Sequence, residues 1–140
     1  MSERAIIFEE LKAAKDAENV RYEVKKLETL YLNIIEALGS AVESKDPYTM
    51  GHSSRVAYYS LRLSEKLGLS QDMARGILIA AYLHDVGKIY VGDEILNKPG
   101  KLTPLEFESV KRHPEMGVAS LSAVEFPWEV KQYILHHHER

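Results

Sequence analysis

His52, His84, Asp85, His113 and the pair His137-His138 are the residues of this 140-residue chain whose types could do chemistry together. Neutral imidazole and ionised carboxylate are both ligands for first-row metal ions. The stretch from Ala80 to Lys88 is the sharpest instance. An apolar run, Ile77 to Leu83, ends in His84-Asp85, with Gly87 and Lys88 close behind. The run reads as a buried helix, and Gly87 marks where such a helix stops. Polar groups at the inner end of a buried helix cost roughly 2–7 kcal/mol each unless something pairs with them. A metal ion is one such partner; a hydrogen-bonded His-Asp pair is the alternative that the dipeptide alone allows. The other histidines shift the balance. Ligands scattered along a helical chain converge when each helix ends at one cavity. Six ligand side chains exceed what one tetrahedral ion needs and suit two ions sharing a bridging carboxylate.

Composition narrows the classes. The chain has no cysteine, so there is no disulfide framework and no thiolate site, and any metal is held by His and carboxylates. A net charge of -3 gives no field for holding a nucleic acid polymer or an anionic membrane. The longest apolar run falls far short of the ~20 residues a membrane span needs. Met1 is followed by charged residues rather than an apolar signal core. A cytoplasmic protein with an ordinary core, at 45% hydrophobic residues, is expected.

The elements that must position these ligands read as helices throughout, an all-α fold. Residues 1–41 form a long, coiled-coil-like helix, and residues 42–140 form the domain. Val20, Val24, Leu27, Tyr31, Ile34, Leu38 and Ala41 step as a heptad seam. A helix of ~40 residues is ~60 Å long, so its far half needs a cover. The cover expected for residues before Leu30 is a second copy of the chain, the alternative being a helix that bends back onto its own domain. From Leu30 onward it is the domain itself, because Leu30, Ile35 and Val42 widen the stripe. Asp46-Pro47 to Gly51 breaks the helix. Ser53 then caps a helix to Leu67 whose buried face is Val56, Tyr59, Leu63 and Leu67. His52 opens that face; Arg55 faces either a phosphate or solvent. Ser70 caps the next helix, with Met73, Ile77, Ile79-Ala80 and Leu83 inward. The loop Asn97 to Lys101 carries two ammonium groups, Lys98 and Lys101. Thr103-Pro104-Leu105-Glu106 is a capping box. Its helix exposes Glu108 and Lys111, buries Leu105, Phe107 or Val110, and runs to His113-Pro114. A helix of small residues follows, suited to close packing. A last helix sets Val130, Tyr133, Ile134 and His137 on one side, with His138 beside Ile134.

Five segments in order also resemble a known family. They are Asp46-Pro47-Tyr48-Thr49-Met50-Gly51-His52-Ser53, Leu83-His84-Asp85-Val86-Gly87-Lys88, Ile95-Leu96-Asn97-Lys98-Pro99-Gly100-Lys101-Leu102, His113-Pro114-Glu115-Met116-Gly117 and His137-His138-Glu139-Arg140. Together they are similar to the HD-GYP subgroup of the HD phosphohydrolases, over about Leu32 to the end. The resemblance implies an HD-domain helical bundle that hydrolyses the bacterial second messenger cyclic di-GMP to linear pGpG or GMP. It implies a two- or three-metal centre, commonly iron or manganese; the donor types also suit Zn, Mg, Co or Ni. On this resemblance His52, His84 and Asp85 serve one ion, and Asp85 bridges to a second held by His113, His137 and His138. Lys88 would neutralise the scissile phosphate, and Lys98, Lys101 and Arg55 would draw in the substrate. Three-metal members carry a carboxylate four residues before the first histidine, where this chain has Tyr48, so two ions are expected. The sequence ends before the Asp-Gly-x-Gly-Tyr-Pro segment and the later aspartate of the subgroup, so it is read as the N-terminal part of such a domain. Two other functions stay open: an inactive signalling module working through partner domains, and another HD-type nucleotide phosphohydrolase.

Overall fold

No proline occurs before Pro47 and no glycine before Gly39, and the intervening residues are rich in Glu, Lys, Ala and Leu. In the computed structural model, which describes residues 3–139 and side chains from Ile6, they form one helix, α1 (Glu3–Glu43). Then come α2 (His52–Lys66), α3 (Gln71–Leu83), α4 (Asp93–Leu96), α5 (Pro104–Lys111), α6 (His113–Ser120) and α7 (Val130–Leu135). Two 3-10 turns, Pro47–Thr49 and Val86–Tyr90, complete the order. No strand occurs among the described residues. The fold is all-α, a helical bundle after a long helix. None of these helices is long and apolar enough to cross a membrane.

The chain divides into two compact units, one ending at Ile34 and one beginning at Ile35. In the first, α1 leaves Val20, Val24, Leu27 and Ile34 about half exposed or more. Leu30 is exposed as well, so burial begins at Ile35 and not at Leu30. In the second unit the buried stripe of α1 is Ile35, Gly39, Val42 and Glu43. It lies one position over from the heptad seam, whose Leu38 stays exposed. Gly39 is the reason: its bare backbone abuts the Tyr82 carbonyl, where any side chain would collide.

The faces of three helices differ from the sequence expectation. On α2 the buried positions are Ser53, Ala57 and Ser64, whereas Tyr59, Leu63 and Leu67 are exposed. Small residues turned inward let α2 lie close to α3, and that closeness outweighs the greater apolar area of the large side chains. On α5 Leu105 and Phe107 are exposed and Val110 is half-buried. The start signals of this helix nevertheless hold: Thr103 and Glu106 make both halves of the capping box. Ser70 caps α3 through the Met73 amide, but Met73 itself is exposed. Its place on the inner face is taken by Gly76, against which Trp128 and Tyr133 pack, bringing α7 onto α3. Val130 and Ile134 of α7 are fully buried there.

Candidate metal centre

The α3 helix ends at Leu83, leaving His84 and Asp85 at its buried tip. The chain then tightens into the 3-10 turn Val86–Tyr90, which swings Lys88 back over Asp85. The Lys88 ammonium donates to Asp85 Oδ2 at 2.7 Å. Gly87 is not a left-handed helix stop; its φ is not positive. Its role is close approach, because a side chain there would strike the His113 carbonyl and the Gly117 amide. That contact seats the first turn of α6, and with it His113, beside the tip of α3. His137 and His138 follow directly on α7. His52 is the first residue of α2, entered through Gly51 at a φ of 70°. Ser53 is buried inside α2 and does not cap it; the capping acceptor is the Glu43 carboxylate.

These elements bring the six candidate ligands together. Asp85 stands between two sets of rings: its Oδ2 is 3.3 Å from His84 Nε2, its Oδ1 is 3.3 Å from His113 Nε2 and 4.0 Å from His137 Nε2. His52 sits edge-on to His84 with ring centroids 5.3 Å apart, and His138 lies 5.1 Å from His113 in the same measure. The donor atoms fall into two groups, His52, His84 and Asp85 in one and His113, His137 and His138 in the other. Within each group they lie within 4.8 Å of one another.

Proton bookkeeping is what makes this a metal site in form. The Nδ1 atoms of His84, His113 and His137 each lie 2.7 Å from the carbonyl three residues back, at Ala81, Val110 and Ile134. A carbonyl only accepts, so each Nδ1 carries a proton and Nε2 is the atom aimed inward, a lone pair whenever its ring is neutral. Such carbonyl partners fix the tautomer and orientation that ligation requires. The Nε2 atoms of His113 and His137 face each other at 3.2 Å. Burial, and then the neighbouring imidazoles, push His137 down to about 4, so its Nε2 carries no proton near neutral pH. His138 is pushed down by the same causes. Burial alone would raise the Asp85 carboxyl, but hydrogen bonds from His113, His84 and Lys88 outweigh it and hold the group far below the carboxylate range. Converging lone pairs around an ionised, buried carboxylate call for a cation, and the residues present fit divalent metal ions.

A cavity of about 470 Å³ opens on this cluster. His52, His84, Asp85, Lys88, His137 and His138 form its polar end, and Val56, Ile77, Ala80 and Tyr133 an apolar wall. The remaining sequence candidates lie elsewhere. Arg55 donates to the Met50 carbonyl at 3.2 Å. Lys98 is held by both oxygens of Glu106 at 2.8 and 2.6 Å. Lys101 is exposed, and none of the three lines the cavity.

The HD domain model matches residues 49–140, nearly the whole stretch from the His52 loop to the histidine pair. The chain belongs to the HD domain family. Relatives of this HD chain include a cyclic di-GMP phosphodiesterase of Thermotoga maritima, 40% identical over 81% of this chain and 31% of the relative. A cyclic di-GMP phosphodiesterase of Pseudomonas aeruginosa is 42% identical over 71% of this chain and 24% of the relative. A 3'3'-cGAMP-specific phosphodiesterase of Vibrio cholerae is 43% identical over 62% and 19%. The chain thus spans about a third or less of the length of these relatives.

Two residues that bond the backbone around this site escaped the reading of the sequence. Glu43 and Lys45 look like the polar end of a surface helix; the one available signal is that Glu43 follows Val42 on the stripe begun by Ile35 and Gly39.

Proposed function

We propose that this chain is a metal-dependent phosphodiesterase domain that hydrolyses cyclic dinucleotides, cyclic di-GMP first among them. The observation that carries the reading is a buried carboxylate, Asp85, flanked on its two oxygens by imidazoles from different helix ends. His52, His84 and Asp85 would hold one divalent ion, and His113, His137 and His138 the other, with Asp85 shared. Iron and manganese are the ions that the family resemblance implies, and the donor set accepts either. Bound there, such ions would neutralise phosphodiester oxygens and acidify a water for in-line attack. The protein's own part is positioning. The Nδ1–carbonyl bonds fix the rings, and the Lys88 ammonium, which lines the cavity beside Asp85, stabilises charge developing on the phosphate. The apolar wall of Val56, Ile77 and Tyr133 offers a surface for a base. Opening the ring at one P–O bond yields linear pGpG, and a second cleavage yields GMP. Arg55, Lys98 and Lys101 are left a role in attracting the dianionic substrate from the surface. The names of the relatives support the substrate class. The site of action is the cytoplasm, where a second messenger is met.

We further propose that α1 pairs with the α1 of a second copy, with residues 1–41 as the dimerising and signal-relaying helix and residues 42–140 as the hydrolase domain. The exposed heptad residues Val20, Val24, Leu27 and Ile34 support it.

The test is turnover. The chain loaded with Mn(II), or with Fe(II) under anaerobic conditions, should convert cyclic di-GMP to pGpG or GMP by chromatography, and 3'3'-cGAMP serves as the competing substrate. Metal-loaded chain that cleaves neither compound contradicts the reading.

A further inference from the structure

Two charged side chains, one on the last residue of α1 and one two residues beyond it, grip the backbone on either side of the candidate metal centre. Glu43 is 4% exposed. Its carboxylate accepts the Gly51 amide at 2.7 Å and also the Ser53 amide, the residues on either side of His52. Gly51, the N-cap of α2, has no side chain with which to satisfy those amides, so a residue of another helix does it. Two positions later Lys45 reaches in the opposite direction. Its ammonium lies 3.3, 3.0 and 2.7 Å from the carbonyls of Lys88, Ile89 and Val91, and 3.2 Å from Asp93 Oδ1. Those carbonyls belong to the last part of the 3-10 turn that begins after Asp85 and carries Lys88; the Lys88 carbonyl also accepts the Val91 amide at 3.0 Å. The Lys45 backbone is itself held, since the Asn97 side-chain amide donates to its carbonyl at 2.8 Å.

We infer that the end of α1 positions both sides of the site: Glu43 fixes the backbone that presents His52, and Lys45 fixes the turn that presents Asp85 and Lys88. The catalytic part of this rests on the phosphodiesterase reading, while the positioning is a property of the metal-free chain. Neither side chain lines the cavity, so both act through other residues. Lys45 bridges three carbonyls that no other side chain is seen to bond among the described residues, and its loss frees the end of the turn by which Lys88 is aimed. A misplacement of about 1 Å in such a group costs about 100-fold in rate.

Three substitutions and three readouts test the inference. Lys45→Met should keep its full complement of Mn(II) and a KM for cyclic di-GMP within about twofold, while kcat falls about 10–100-fold. Lys45→Arg, which restores a cation to the same carbonyls, should recover most of that loss. Glu43→Gln should shift the His52 ring signals in NMR spectra of the metal-free chain, leave those of His113 and His137 in place, and weaken one Mn(II) equivalent about tenfold. Should Lys45→Met fail to fold, Lys45→Gln carries the same kcat comparison. Equal kcat in the Lys45→Met and wild-type chains, equal losses in Lys45→Met and Lys45→Arg, or unmoved His52 signals in folded Glu43→Gln would each overturn the inference. A wild-type chain that binds Mn(II) but leaves cyclic di-GMP intact overturns the substrate reading instead. The NMR and Mn(II) measurements then still decide the positioning.

Discussion

Asp85 is the residue on which the proposed chemistry turns, because among the described residues it is the one carboxylate seen in contact with both sets of imidazoles. Its effect on its neighbour is measurable without any metal. Burial works to lower the His84 pKa, but the hydrogen bond and charge of Asp85 more than reverse this and raise it. Asp85→Asn removes the charge and keeps the shape, so burial regains control. The His84 pKa, followed by NMR titration of the metal-free chain, should therefore fall in the variant. An unchanged value would mean that the carboxylate does not govern the ring. The same pair explains why the site would take up metal less well in acid, since an ion must displace the proton that Asp85 helps His84 to retain.

Helix ends rather than helix faces make the site, and this decides what could be read from the chain beforehand. The residues that the structure gathers into two donor groups were legible because His and Asp are conspicuous beside apolar runs, as at Leu83-His84-Asp85. The start signals at Ser70 and Thr103 were legible because capping is local chemistry. Faces were less so. Tyr59, Leu63 and Leu67 make the larger apolar stripe on α2, yet Ser53, Ala57 and Ser64 are buried, because helix approach depends on the partner surface. Gly87 shows the same limit: its value lies in a contact with His113, 26 residues away in the sequence, and no local pattern reports that. Gly87→Ala should overpack the α6 contact and destabilise the fold by about 1–3 kcal/mol or more. Urea unfolding would show it, and an unaltered midpoint would remove the close-packing account. Glu43 offers a pH-dependent counterpart. Burial opposes its ionisation, but the bonds from Ser53 and Gly51 outweigh burial and lower its pKa below the ordinary 4.5. A depressed carboxylate stabilises the folded chain above its unfolded pKa, and this contribution is lost as pH falls through the folded value. Glu43→Gln should therefore cost about 1–2 kcal/mol at pH 7 by urea unfolding, with the gap from wild type closing in acid. A gap that persists unchanged below the folded pKa would refute the capping role.

At the scale of the whole molecule the chain combines an HD domain with a helix longer than that domain needs. The stripe that binds the domain, Ile35, Gly39 and Val42, is distinct from the exposed seam through Val24, Leu27 and Ile34. Sedimentation equilibrium should find a dimer, and Leu27→Glu with Ile34→Glu should convert it to monomer without changing metal content per chain. A wild-type monomer at all concentrations would leave the seam without its proposed partner. The central claim, two cations sharing Asp85, is met most directly by counting metal. Chain reconstituted with Mn(II) and freed of excess should hold two equivalents by plasma mass spectrometry, and Asp85→Asn should retain fewer than one. Folded wild-type chain that holds one equivalent or none, or an Asp85→Asn chain that keeps both, would contradict it.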